Sequence, residues 1–274
     1  MIMRALAILL LTFTLTHILA QKDSLTYNLL EDIQYRTGVL DTYMLERCVL
    51  DLYYPENVTN FPTVVWFHGG GLKAGNKSIP EDFKEQGMAV VAVNYRFSPQ
   101  VTAPAYIEDA AAAVAWTFKH IADFGGDPEL IFVSGHSAGG YLTSMVGLDT
   151  TYLATYDIHP NRIAALIPYS GHAITHFTIR SERGLSWSDL QIDQYAPISF
   201  CRPDAPPFIL ITGDREQELF GRYEEVAYQA RMMKLAGHEQ TELHEMSGYN
   251  HGNMPDAAHH ILLRVVERIV EEKK

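Results

Sequence analysis

The pentapeptide Gly135-His136-Ser137-Ala138-Gly139 sets a serine between two glycines, after the apolar run 130–134 and before a helical stretch beginning near residue 140. A serine on a sharp strand-to-helix turn presents its hydroxyl as a nucleophile, and its neighbours two residues away must be nearly free of side chain. The next backbone N–H, that of Ala138, then lies at a helix N-terminus, where it can receive a developing oxyanion. Glycine and serine are also common turn residues, so an ordinary loop is the competing reading until partners are found.

The partners are present. His68-Gly69-Gly70-Gly71 follows the buried run 63–67, and three glycines there let backbone N–H groups face a ligand. A serine hydroxyl also needs a base. His251 stands in the loop Gly248-Tyr249-Asn250-His251-Gly252, after the last expected strand and before the last helix. His238 sits at a helix end, His244 within a strand, and His259 and His260 within the C-terminal helix, while His172 and His176 precede the acid. The acid that would orient the imidazole should follow the run 208–212, where Gly213-Asp214-Arg215-Glu216-Gln217-Glu218 offers three carboxylates. Counting three residues beyond the glycine selects Glu216, with Asp214 and Glu218 as alternatives; Asp214 would otherwise cap the turn.

Apolar runs alternate with helical stretches along the chain. Strands are expected at 48–53, 63–67, 88–94, 130–134, 163–168, 208–212 and 241–245, and helices at 105–121, 221–235 and 255–272. This alternation implies an α/β domain with a largely parallel sheet covered on both faces. The stretch 172–207 breaks the alternation and is expected to rise over the sheet edge as a small lid.

Length and composition bound the rest. A chain of 274 residues suits one large domain, here 21–274, and 47% hydrophobic with 20% charged residues is globular in character. Residues 1–20, with Arg4 ahead of an apolar stretch, have the form of a secretory signal peptide, which implies a secreted or periplasmic protein with no membrane span after processing. An uncleaved anchor is the alternative. Removing that segment takes one positive charge, Arg4, from a net charge of −12 and leaves about −13, which argues against nucleic acid as a partner. Cys48 and Cys201 are open to a single bridge, with a buried, unpaired Cys48 the favoured alternative, and Asn57 and Asn76 head sequons. Metal and phosphate sites are not expected. His244-Glu245 lacks a second histidine, and the glycine run lacks the lysine of a phosphate loop.

His68–Gly71, Asn94-Tyr95-Arg96 with Ser98-Pro99, Glu108-Asp109, Gly126-Asp127-Pro128 and Gly135–Gly140 together resemble the α/β-hydrolase esterases of the hormone-sensitive-lipase-like and carboxylesterase-like groups. The motifs cover residues 45–148, and 205–272 follow by pattern. The resemblance implies an eight-stranded sheet, ester hydrolysis without a cofactor, and Gly70, Gly71 and Ala138 as oxyanion donors. Relatives in these groups carry an N-terminal cap and an Asp-Pro-Leu acid motif, where this chain has Asp214-Arg215-Glu216. The expected substrate is a small ester or an acylated carbohydrate, with short-acyl and plant-polymer esters foremost. An amidase or formamidase, and a non-catalytic binding module on the same scaffold, are the alternatives. Oligomeric state is left open.

Overall fold

The computed structural model describes residues 25–274, so the expected signal peptide lies outside the described residues. Eight strands form one sheet: β1 (Tyr27–Gln34), β2 (Val49–Pro55), β3 (Phe61–Phe67), β4 (Ala89–Val93), β5 (Gly126–His136), β6 (Ala165–Tyr169), β7 (Phe208–Gly213) and β8 (Thr241–Met246). Their order is β1-β2-β4-β3-β5-β6-β7-β8, antiparallel at the β1–β2 and β2–β4 pairs and parallel from β4 to β8. The strand missing from the sequence reading is β1. Its residues Asn28, Glu31 and Gln34 and its exposed Leu29 give it the pattern of a solvated edge rather than of a buried strand.

Between and after the strands lie α1 (Thr42–Arg47), α2 (Ala105–His120), α3 (Ala138–Leu148), α4 (Thr150–Ala154), α5 (Phe177–Glu182), α6 (Arg222–Leu235) and α7 (Met254–Glu272). Alternation along the strands sorts the core into two layers. Val65, Phe67, Val91, Val93, Ile131 and Val133 face α2, α3 and α6. Val64, Trp66, Val90, Phe132 and Ile167 face α7, which presents Leu262, Val265, Val266 and Ile269 at helical spacing. Small Ala110–Ala113 and Ala115 let α2 lie close to the first face.

The loop from β4 to α2 is tied by charge. Asp109, with a fully covered side chain, receives Arg96 at 2.8 Å and Arg36 at 2.6 Å. This joins the Asn94-Tyr95-Arg96 and Glu108-Asp109 segments picked out in the sequence. Cys48 and Cys201 are both free thiols, and burial pushes Cys48 up to about 12.

Candidate active site

Ser137 sits between β5 and α3 with φ 57° and ψ −112°, a conformation a non-glycine residue holds only when its surroundings impose it. The imposing contacts explain the glycines. A Cβ on Gly139 would lie 2.0 Å from the Phe67 carbonyl oxygen, and one on Gly135 would lie 2.6 Å from the same atom. The strand and helix therefore pack backbone to backbone against β3, and the Ser137 N–H donates to the Tyr169 carbonyl at 2.8 Å.

His251 reaches the serine from the loop between β8 and α7. Ser137 Oγ and His251 Nε2 are 2.9 Å apart, the hydroxyl being able to donate to the ring nitrogen. On the other side of the ring, Nδ1 lies 2.5 Å from Oε1 of Glu218. The acid is thus Glu218, and the expectation of Glu216 is corrected. After β7 the chain turns helically, with the N–H groups of Gln217 and Glu218 both donating to the Asp214 carbonyl. This turn carries residue 218 back over the strand end, where its Oε2 accepts from the Gly213 N–H at 3.0 Å. Glu216 projects into solvent. Asp214 spans the turn, accepting from the N–H groups of Glu216 at 2.9 Å and Gly248 at 2.7 Å.

Burial alone would raise the pKa of Glu218, whose side chain is 1% exposed. The bond to His251 and its charge, with bonds from the Ser170 hydroxyl at 2.5 Å and the Leu219 N–H at 2.9 Å, overcome burial and lower it to about 2. Ser170 was not singled out in the sequence. It follows β6 at φ 43°, a position legible only once β6 is placed beside β7. His136, likewise unassigned, packs its ring 4.7 Å from that of His251, and burial with the neighbouring imidazole pushes it down to about 3. It therefore stays neutral beside the base.

The glycine loop lies against the nucleophile. A Cβ on Gly69 would stand 3.4 Å from the Ser137 Cβ. Gly70, at φ 111°, would drive a Cβ to 1.9 Å from the Ala74 carbonyl oxygen, so no other residue fits. Tyr95 stacks on His68 at 4.5 Å and donates its hydroxyl to the His68 carbonyl at 2.9 Å, while Arg47 lies over Phe97 behind them. At the start of α3 the Ala138 N–H has no partner within its helix. The glycine loop and the start of α3 thus both lie next to Ser137. That arrangement can hold an anion while the serine attacks and the imidazole accepts its proton.

Residues 50–171 match the BD-FAE family. That match takes in 122 of the 274 residues, and the chain as a whole has the α/β-hydrolase fold. The matched region holds the glycine loop and Ser137, and it ends before Glu218 and His251. The chain is 29% identical over 176 residues to the probable carboxylic ester hydrolase LipM of Mycobacterium tuberculosis, covering 56% of this chain and 40% of LipM. It is 33% identical over 150 residues to the esterase LipQ of the same organism, covering 48% of this chain and 35% of LipQ. It therefore spans well under half the length of these curated relatives. Among solved structures it resembles a truncated carbohydrate esterase from gut microbiota, with TM-score 0.74, 19% identity, and 90% and 98% of the two chains covered. It also resembles esterase 2 of Thermogutta terrifontis, with TM-score 0.68, 24% identity, and 88% and 94% covered. These likenesses agree on the fold.

His172 and His176, which lack a completing metal set in the sequence, pack 4.7 Å apart in a buried cluster. Glu225 accepts from His172 Nδ1 at 2.9 Å, and Arg222 meets the other ring nitrogen. Among the described residues no group of histidine, cysteine and carboxylate side chains is arranged to hold a metal ion, and no helix is long and apolar enough to cross a membrane.

Proposed function

We propose that the protein is a serine carboxylic ester hydrolase acting on small or carbohydrate-borne esters. The observation that carries this reading is the unbroken relay from Ser137 Oγ through His251 to Glu218, at 2.9 and 2.5 Å, beside the glycine loop. Ser137 attacks the ester carbonyl as His251 takes its proton, and the oxyanion rests on the N–H groups of Gly70, Gly71 and Ala138. The imidazolium, steadied by Glu218, returns the proton to the leaving alcohol. Water then repeats the sequence on the acyl-enzyme and frees the acid. The names of LipM and LipQ and of the carbohydrate esterase of similar fold support the ester class. Residues 172–207 serve as the lid over this centre, and a leader at residues 1–20 directs the protein out of the cytoplasm.

Ser137→Ala tests the reading. The variant is expected to keep the wild-type melting temperature and to lose turnover of 4-nitrophenyl acetate by about 10⁴-fold or more. It is also expected to lose labelling by a fluorophosphonate probe. Turnover or labelling persisting in the pure variant would exclude Ser137 as the nucleophile.

A further inference from the structure

A cavity of about 380 Å³ lies between α5, the segment 187–190 and the start of α6, and the ester chemistry itself does not use it. Its walls are mostly apolar, formed by Ile174, Phe177, Trp187, Leu190 and Phe220. Trp187 and Phe220 pair across its rim with ring centroids 4.8 Å apart, and both are largely exposed. Two of its lining residues, Phe177 and Phe220, belong to segments that lead to the reacting centre. The Phe177 ring would touch a Cβ on Gly71 at 3.1 Å, and Thr178 donates its hydroxyl to the Gly71 carbonyl, so α5 hangs directly on the oxyanion loop. Phe220 lies two residues beyond Glu218, at the end of the acid's own turn.

Three ionisable side chains also line it: His172 and Glu225, which bond to each other, and Arg180. Arg180, 3% exposed, lines this apolar space. One of its terminal nitrogens donates to the backbone carbonyl of Asp189 at 2.6 Å, its Nε has no partner, and no carboxylate pairs with it among the described residues. The nearby buried carboxylate is already taken: Glu225 accepts from His172 and from the Ala173 N–H at 3.1 Å. Glu225 acts on Arg180 through its charge without a bond, so the guanidinium keeps unmet donors, and a planar carboxylate is the partner that matches them. The net charge of −12 rules out a general attraction for anions, so a preference for one would have to arise locally.

We propose that this cavity is a substrate subsite selecting esters whose apolar body ends in a carboxylate, with Arg180 as the residue that meets the anion. The proposal rests on the ester-hydrolase reading and narrows its substrate class.

Two substrate pairs test it and show which side of the ester enters: 4-nitrophenyl hydrogen glutarate against 4-nitrophenyl pentanoate, and 3-carboxyphenyl acetate against phenyl acetate. In the wild type, kcat/KM is expected to favour the carboxylated member of at least one pair by about tenfold. Arg180→Met is expected to reduce that ratio by about tenfold or more, and Arg180→Lys, which keeps the charge but loses the planar fork, to reduce it by less. A wild-type ratio at or below one in both pairs, or an unchanged ratio in Arg180→Met, overturns the proposal. Should Arg180→Met fail to fold, inhibition of the wild type decides: 3-phenylpropionate is expected to compete with the neutral ester at least tenfold better than 3-phenylpropanol, and equal inhibition overturns the subsite. Failure of the wild type to hydrolyse any of the four esters or to take up the fluorophosphonate would instead overturn the ester reading.

Discussion

At the scale of single residues, three carboxylates within five positions differ only in where one helical turn points them. Glu218 is covered and bonded to His251, Ser170, Gly213 and Leu219, whereas Glu216 faces water. Glu218→Gln keeps the shape but lets the amide hold His251 in the wrong tautomer, so kcat is expected to fall by about 10³- to 10⁴-fold. Glu216→Gln is expected to stay within about twofold of wild type. Steady-state kinetics on both variants check the assignment, and the reverse ranking would move the acid to Glu216. Because Glu218 is held at about 2, it stays ionised throughout the working range. Ser137 and His251 were legible in the sequence because each is fixed by its immediate neighbours: a glycine-flanked turn, and a loop between a strand and a helix. The acid was not, because counting along the chain takes the loop as extended. The Asp214 carbonyl instead accepts from both residue 217 and residue 218 and winds the loop back.

At the scale of elements, the oxyanion loop owes its position to parts far from it in sequence. Tyr95 supports His68 from the end of β4, and the segment that carries Tyr95 is pinned by Asp109 on α2. Asp109→Asn would leave Arg96 and Arg36 facing a neutral amide in a covered site, where removing one partner of a buried ion pair costs about 3–5 kcal/mol. Arg36 and Arg96 keep some contact with water, so a loss at the lower end, about 3 kcal/mol, is expected in urea denaturation. The rate on 4-nitrophenyl acetate should fall with it as the glycine loop loosens. Stability within about 0.5 kcal/mol of wild type would show that the cluster does not brace the fold. The buried strands β3 to β7 were readable from their valine, isoleucine, leucine and phenylalanine, and α7 from its single apolar face. The edge strand β1 and the short α5 were not. One is solvated on most of its length, and the other draws its order from Thr178 and Arg180 gripping neighbouring carbonyls.

At the scale of the whole molecule, the fold class was open to reading because strand and helix alternate throughout, while the charge network of the interior was not, since its members come together only by tertiary packing. That network makes stability depend on pH. His68, His172, His176 and His259 are buried, and burial lowers each below the ordinary histidine value, His68 and His259 to about 4. A histidine near 6.5 in the unfolded chain and lower in the folded one binds more protons when unfolded. Its stabilising contribution is complete above pH about 6.5 and is lost as pH falls toward the folded value. The loss approaches about 1.4 kcal/mol per pH unit for each such residue. Glu218 adds to the same trend lower down, its contribution present above about pH 4.5 and lost as pH falls toward 2, while Glu225, raised by burial, opposes it with a single group. Urea midpoints measured at pH 8, 7, 6 and 5 are therefore expected to be nearly level between 8 and 7 and then to fall, with several kcal/mol lost by pH 5. Replacing His176, which packs against Tyr141 and Phe177, with phenylalanine should flatten part of that fall, because it removes one of the groups that must stay neutral. A stability curve level down to pH 5 in the wild type would mean that these imidazoles bind protons as readily in the folded chain as in the unfolded one, and the account of the buried cluster would fail.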